Sequence, residues 1–277
     1  MIPNNNLSPI AFYRNINEQM NRRSYAYGNV YPIFVSANSL LPFQIIRSHT
    51  DSKDFNIRVM NPFTGGLVKT IFLNIEVYPF PDYGYDVLLY NGGNINLYIP
   101  ESQCYLIFSD GVNVWYSDII VPIKDLSPYL CLQWYDTSDF IFQAGAIVYK
   151  SDYKNTMYFI TELGKPEYTF EDEGEERDGF FFPEKLLSYK TYKFNILADE
   201  ATCDVLRIAQ LSDIVMIKDK YGNTYRADTF QINPKWEDQG DLASVEASFT
   251  TSTVMKKCGY LGVPKHDYNN DFNEDFY

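Results

Sequence analysis

The sequence predicts a mainly β protein, with an N-terminal antiparallel β-sandwich, a second β-rich domain that contains one helix, and extended terminal arms. Short runs rich in β-branched and aromatic residues recur about every ten residues, and turn signals such as Asn61-Pro62 and Asp110-Gly111 separate them. Tyr (24) and Phe (20) together outnumber Lys and Arg (23), and such residues commonly fill β-sheet cores. One segment, about Asp199–Leu211, carries the apolar stripe of an amphipathic helix.

Residues 30–125 are predicted to form the sandwich. The pair Asp110-Gly111 fits a tight hairpin within it, because glycine tolerates a positive φ. The predicted strands are Val30–Ser36, Phe43–Arg47, Phe55–Met60, Val68–Val77, Asp86–Leu89, Ile95–Ile99, Tyr105–Ser109 and Val114–Val121.

Residues 129–262 are predicted to form the second β-rich domain, after a proline-containing linker at residues 122–128. Carboxylates near the start of the helix favour its dipole, and Tyr221-Gly222-Asn223 indicates a hairpin turn late in the domain. The predicted strands are Tyr129–Trp134, Ile141–Tyr149, Met157–Thr161, Tyr189–Leu197, Ile214–Lys218, Thr224–Ile232 and Leu242–Phe249.

The two ends of the chain are predicted to be arms. Residues 1–29 have few apolar side chains and a basic excess, whereas residues 263–277 alternate acids with aromatics, so each end either docks on a partner or stays a loose terminus. The basic arm of one subunit could lie across a neighbouring subunit and contact its acidic tail. The predicted contacts are Arg14, Arg22 and Arg23 in the arm, and Asp267, Asp271, Glu274 and Asp275 in the tail.

A run of acids at residues 169–179 is predicted to be a loop. Oxygen ligands of this kind suit Ca²⁺, but their spacing matches no EF-hand loop, and a solvated acidic loop is the alternative. Its carboxylates are Glu171, Asp172, Glu173, Glu175, Glu176 and Asp178.

Composition argues against several functional classes. A net charge of −13 disfavours a surface that grips duplex DNA. The two histidines, His49 and His266, lie far apart, no Cys-x-x-Cys pair occurs, and Cys104 and Cys131 sit in apolar runs typical of buried thiols. We therefore expect no enzyme activity, no metal and no cofactor. There is no uninterrupted apolar run of about 18 residues and no secretory signal pattern, so no membrane partner is expected.

Three tryptophans leave a carbohydrate-binding alternative open. Trp115, Trp134 and Trp236 each have polar neighbours and could present stacking platforms for a sugar. Tryptophan in a strand is more often part of a core.

Residues 130–194 contain several segments whose order and spacing are distinctive. They include Gly145-Ala-Ile-Val-Tyr149, Tyr158-Phe-Ile-Thr161 and Lys165-Pro166-Glu167-Tyr168 ahead of the acidic run, and Val112–Asp118 precedes them. Over about residues 110–255 the chain resembles structural proteins encoded by bacteriophages of Bacteroidetes, including the crAss-like phages.

The resemblance implies a virion structural protein that is assembled in the host cytoplasm. It would be a ring or collar subunit of the tail that connects the portal to the tail and forms part of the DNA-ejection channel. In such a ring the acidic loop would face a partner or the central channel, where its charge would keep DNA from adhering. Its partners would be copies of itself in a symmetric ring and other tail, collar or portal proteins, with DNA at most as passing cargo. Two alternatives remain: a tail-tip or baseplate protein that binds host surface glycan, and a carbohydrate-binding surface module.

Overall fold

The computed structural model describes residues 8–15, 33–97, 103–141, 148–149, 153–236 and 242–257. Of these residues, 59% lie in strands and 6% in helical segments. The predicted fold class, mainly β with one α-helix, is confirmed for this part of the chain.

The first half of the described chain contains nine strands. They are β1 (Phe12–Tyr13), β2 (Ile33–Ser36), β3 (Phe43–Ser48), β4 (Asn56–Met60), β5 (Leu67–Phe72), β6 (Glu76–Phe80), β7 (Tyr85–Tyr90), β8 (Cys104–Ser109) and β9 (Val114–Ile123), with a short 3-10 turn at Pro81–Tyr83.

The second half contains ten strands and the helix. They are β10 (Leu130–Tyr135), β11 (Phe140–Ile141), β12 (Val148–Tyr149), β13 (Asn155–Phe159), β14 (Glu167–Arg177), β15 (Phe180–Ala198), α1 (Glu200–Ala209), β16 (Ile214–Lys218), β17 (Thr224–Ala227), β18 (Thr229–Trp236) and β19 (Ala243–Lys257).

The largest sheet has the order β17-β16-β10-β13-β2-β9-β8-β4-β5, with β1 paired to β9. Its pairings are antiparallel except for β2 and β9, which run parallel with Phe34 opposite Val121. The predicted antiparallel sandwich therefore includes one parallel pair. Parallel neighbours need a long crossover, and the chain from β3 to β8 provides it.

A second sheet, β3-β7-β6, covers part of the large sheet and forms the sandwich. All six residues of β7 are buried. One of its faces, with Leu88 and Tyr90, packs into the first core against the large sheet. The opposite face, with Val87, contacts Tyr153, just before β13, and Ile208 of α1. This part of the molecule therefore has three layers.

The second core lies between the sheet β14-β15-β19-β18 and the β10, β16 and β17 end of the large sheet. Phe194 and Phe249 fill it from one side, and Leu132 and Trp134 from the other. Helix α1 closes it; the Asp199 side chain caps the helix by accepting a 2.8 Å hydrogen bond from the Thr202 backbone N–H.

The division into two domains at residues 125–129 stays a prediction. The large sheet runs through both parts, since β13 pairs with β2 at Tyr158 and Phe34. Two of the buried apolar clusters lie on either side of this division, one up to Ile120 and one from Leu130 onward, whereas a third joins Val87 to Tyr153 and Ile208 across it.

Some predicted strands have different bounds. The run Val68–Val77 is divided into β5 and β6, which belong to different sheets. Residues 95–97, at the start of the predicted Ile95–Ile99 strand, are not a strand. The run Ile141–Tyr149 contains β11 and β12, and residues 142–147 between them lie outside the described part.

Candidate assembly surfaces

The acidic run predicted as a loop is a strand. Residues 169–177 belong to β14, and the chain reverses at Asp178 and Gly179, whose φ angles are 52° and 79°. Two central residues with positive φ define the hairpin turn that an Asp-Gly pair favours. Charge density suggested a loop, but β15 opposite is rich in aromatic residues and supplies a paired partner along the whole run.

The acids alternate between the two faces of this hairpin. Glu171 lies opposite Leu187, Asp172 opposite Leu186 and Glu173 opposite Lys185. Neighbouring strand residues point to opposite faces, so the carboxylates diverge instead of converging on one point. Among the described residues, no group of three or more His, Cys, Asp or Glu side chains is arranged to hold a metal ion.

The hairpin continues into a projection that we call the acidic ribbon: residues 167–191 of β14 and β15 together with residues 251–257 of β19. Strand β18 stops pairing with β19 at Thr250, so the ribbon extends beyond the four-stranded packing of the second core. Its residues 171–176 are all exposed. The exposed fractions of its large apolar side chains are 63% for Tyr168, 75% for Phe170, 70% for Phe180, 63% for Val254 and 54% for Met255.

The carboxylates of the ribbon are concentrated on β14, and some of them have contacts within the sheet. Tyr189 Oη donates a 3.1 Å hydrogen bond to Glu171, and Lys193 Nζ lies 2.9 Å from Glu167 Oε1. Partial desolvation, followed by this bond to Glu171, raises the pKa of Tyr189, and the bond to Glu167 raises the pKa of Lys193. Residues 167–178 contain seven carboxylates and one arginine, whereas the rest of the ribbon contains four lysines and one carboxylate. The net negative charge of the ribbon therefore lies on β14 and its turn.

The hairpin of β4 and β5 is a second exposed surface, and the sequence analysis did not identify it. Its exposed apolar side chains are Phe63 (77%), Leu67 (57%), Val68 (44%) and Phe72 (78%). Residues 55–75 contain two cations, Arg58 and Lys69, and no Asp or Glu. An acid-free stretch of this length in a chain of net charge −13 is the sequence signal by which the surface could have been found.

The predicted contact residues of the terminal arms are mostly outside the described part of the chain. Arg14 is described: its side chain is exposed, and its guanidinium carbon lies 5.8 Å from the centre of the Trp115 ring. The others fall on residues that the structure does not describe: Arg22, Arg23, Asp267, Asp271, Glu274 and Asp275.

Two of the three tryptophans are core residues and cannot serve as surface platforms for a sugar. Trp115 is 2% exposed and Trp134 is fully buried. Trp236 is 48% exposed and borders a groove of about 590 Å³ beside α1. The groove is also lined by Glu200, Cys203, Asp204, Arg207, Gln210, Ile232 and Pro234.

A buried ion cluster also escaped the sequence analysis. Arg47 on β3, 1% exposed, donates to Asp110 at 2.8 Å and to Asp86 at 3.3 Å. Its remaining Nη2 donates to the carbonyl oxygens of Thr50 and Ser52. The cluster thereby fixes the loop after β3 to β7 and to the β8–β9 turn, which is a structural role.

Hydrogen bonding determines the charge state of Asp110. Burial opposes its ionisation, but hydrogen bonds from the backbone N–H of Asn113, from Arg47 and from the backbone N–H of Val112 outweigh that effect and lower its pKa. His49 Nδ1 lies 2.7 Å from the second oxygen of Asp86, and this contact raises the pKa of the imidazole.

The described cysteines are free thiols. Burial raises the pKa of Cys104 to about 12 and the pKa values of Cys131 and Cys203 to about 11. The negative charge of Asp199 contributes to the increase at Cys203. A thiol of this kind is protonated at neutral pH and is a poor nucleophile.

Comparisons of the chain with protein-family models, with curated proteins and with solved structures found no match. Within the described ranges, no helix has the length and apolar character needed to cross a lipid bilayer.

Proposed function

We propose that this protein is a bacteriophage virion structural protein, a ring or collar subunit of the tail that connects the portal to the tail. It would assemble in the host cytoplasm and form part of the channel through which DNA leaves. The observation that carries the proposal is the acidic ribbon, in which aromatic side chains such as Phe170 and Phe180 are 75% and 70% exposed on a projecting hairpin. Apolar surface exposed in this way is typical of an interaction site.

A ring closed by head-to-tail contacts requires two different patches on each subunit. The acidic ribbon and the β4–β5 hairpin differ in charge and lie on different sheets, so they meet that requirement. The charge of the ribbon also suits a channel wall, because carboxylates repel the phosphates of passing DNA and do not hold them. The resemblance of residues 110–255 to phage structural proteins supports the same proposal.

The first test is the mass of the purified full-length protein by light scattering over a range of concentrations, together with negative-stain images. We expect closed rings, or a higher-order oligomer that grows with concentration. A chain that stays at the 32.2 kDa monomer mass at every concentration would contradict self-assembly.

The position of the ribbon in the ring is tested by labelling its tip. Asp178→Cys places a thiol at the exposed turn, where a bulky maleimide can be seen in ring images. We expect the label in the central opening, and a label on the outer rim would contradict the channel-facing proposal. The unsubstituted protein treated with the same maleimide is the control.

A glycan-binding role at the tail tip is the second candidate. The half-exposed ring of Trp236 beside Arg207, Asp204 and Gln210 supports it, because an aromatic face flanked by polar groups suits a sugar. Calorimetric titration with host capsule polysaccharide would show saturable binding that Trp236→Ala abolishes. Tyr221→Ala, at a 77% exposed aromatic outside this groove, is the matched control.

A further inference from the structure

We infer that the free edge of β5 in one copy is completed by β14 of a second copy, so that the acidic ribbon adds a strand to the large sheet of its neighbour. This inference rests on the proposed function, since it names the interface by which the subunits would assemble. It begins from the sheet edges, because an unpaired edge presents a row of backbone donors and acceptors to any other chain.

Most edges of the three larger sheets are protected. Strands β18 and β6 contain Pro234 and Pro79, which cannot donate to a neighbouring strand. Strand β17 has only four residues. The edge of β3 is covered, since the Gln44 backbone N–H donates a 3.1 Å hydrogen bond to Ser8 Oγ.

Two edges among the described strands lack this protection. Strand β5 has six residues and β14 has eleven, and neither contains proline. Side chains on β5 add an exposed apolar surface, with Phe72 at 78% and Leu67 at 57%. The exposed aromatic Phe170 on β14 would provide an apolar counterpart.

Charge selects β14 as the occupant of the β5 edge. The β4–β5 hairpin carries Arg58 and Lys69 without an acid, whereas β14 carries six carboxylates. Opposite charges on adjacent strands stabilise a pair, and like charges destabilise it. A basic and an acidic edge on the same chain therefore favour contact between copies in one orientation.

The two edges also lie at opposite ends of the molecule. The sheet that contains β14 packs against the β16 and β17 end of the large sheet, through residues such as Val215 and Ile217. Strand β5 ends the same large sheet on the far side, eight strand positions from β17, or about 38 Å at the usual spacing. Two different edges placed in this way, β14 and β5, suit a head-to-tail contact between copies.

The backbone of β5 identifies a position that can block pairing. The Leu73 N–H donates a 3.1 Å hydrogen bond to the Phe55 carbonyl, so residues of the same parity, such as Ile71, direct their N–H toward β4. The N–H of Thr70 then points to the open edge, because donors alternate along a strand. Thr70→Pro removes this outward donor and spares the bonds to β4, and Thr70→Ala is the matched control that keeps it.

The experiment compares two blocked variants by light scattering, alone and mixed. Thr70→Pro blocks the edge of β5, and Glu173→Lys with Glu175→Lys reverses the charge at two positions of β14. We expect each variant alone to remain monomeric, with association at least tenfold weaker than in the unsubstituted protein. Their equimolar mixture retains one working interface per pair, so we expect a dimer of twice the 32.2 kDa monomer mass and nothing larger.

Each other outcome is decisive. Assembly of Thr70→Pro at the level of the unsubstituted protein would overturn the β5 contact and leave the proposed function standing. A monomeric unsubstituted protein would overturn both. If circular dichroism shows that Thr70→Pro is unfolded, Phe72→Asp and Phe72→Lys replace it, because both change a side chain that is 78% exposed. We then expect the aspartate to weaken assembly more than the lysine, and equal effects would overturn the inference.

Discussion

Replacing Arg47 with methionine removes the buried cation that the carboxylates of Asp86 and Asp110, which are 1% and 0% exposed, share. Removing one member of a buried ion pair costs about 3–5 kcal/mol, because the remaining charge stays desolvated. Whole domains are stable by about 5–15 kcal/mol, so this change would remove a large part of the stability of the first core. Methionine keeps most of the apolar length of the side chain, so the loss reports charge more than packing.

The assay is urea unfolding followed by tryptophan fluorescence, since Trp115 is buried in the same core as the side chains around Arg47. The matched control is Lys193→Met, which breaks the 2.9 Å contact of an exposed lysine with Glu167. Exposed pairs contribute about 0–1 kcal/mol, so the control should hardly change the midpoint.

A rescue variant tests whether the uncompensated charge is the cause. Adding Asp86→Asn and Asp110→Asn to Arg47→Met neutralises both carboxylates, so the triple variant should be more stable than the single one. The reasoning is refuted if Arg47→Met costs no more than Lys193→Met, or if the triple variant recovers nothing.

Three other predictions follow from local geometry. The contact with Asp86 raises the pKa of His49, so the stability that this contact contributes is complete below pH about 6.5 and is lost as the pH rises through the folded-state pKa. An NMR titration of the imidazole should show the raised pKa, and His49→Gln should abolish this pH dependence of stability. Cys104, with a pKa of about 12, should not react with a thiol reagent until urea unfolds the protein, and rapid labelling of the native protein would contradict its burial. Gly179→Ala, at a φ of 79°, should destabilise the ribbon turn by about 1 kcal/mol and speed amide exchange there, whereas Gly174→Ala should not.

Local patterns were sufficient to predict the elements that depend on few neighbours. The strand Ile214–Lys218 has the predicted bounds, and helix α1 begins after the capping residue Asp199, inside the predicted segment Asp199–Leu211. In both cases the apolar periodicity and the terminal residues lie in the same short stretch of sequence, so no distant contact is needed to infer them.

The acidic strand could not be predicted from its own composition. Glu and Asp are poor strand formers, and what holds β14 is its pairing with β15, together with the positive-φ turn at Asp178 and Gly179. The buried Arg47 was equally hidden, since its partners Asp86 and Asp110 lie 39 and 63 residues away in the chain. Only the tertiary fold brings such groups together.

Charge on the two open edges limits how copies of this chain can meet. Pairing β14 with β14 would place Glu173 and its neighbours against like charges, and pairing β5 with β5 would bring Lys69 close to its own copy. Repulsion between like charges opposes each of these two-fold contacts, whereas a contact between β14 and β5 brings opposite charges together. The carboxylates of β14 therefore oppose contact between two copies of the ribbon, although its aromatic side chains are exposed, and they favour a head-to-tail assembly. Such an assembly closes into a ring when the rotation between subunits permits.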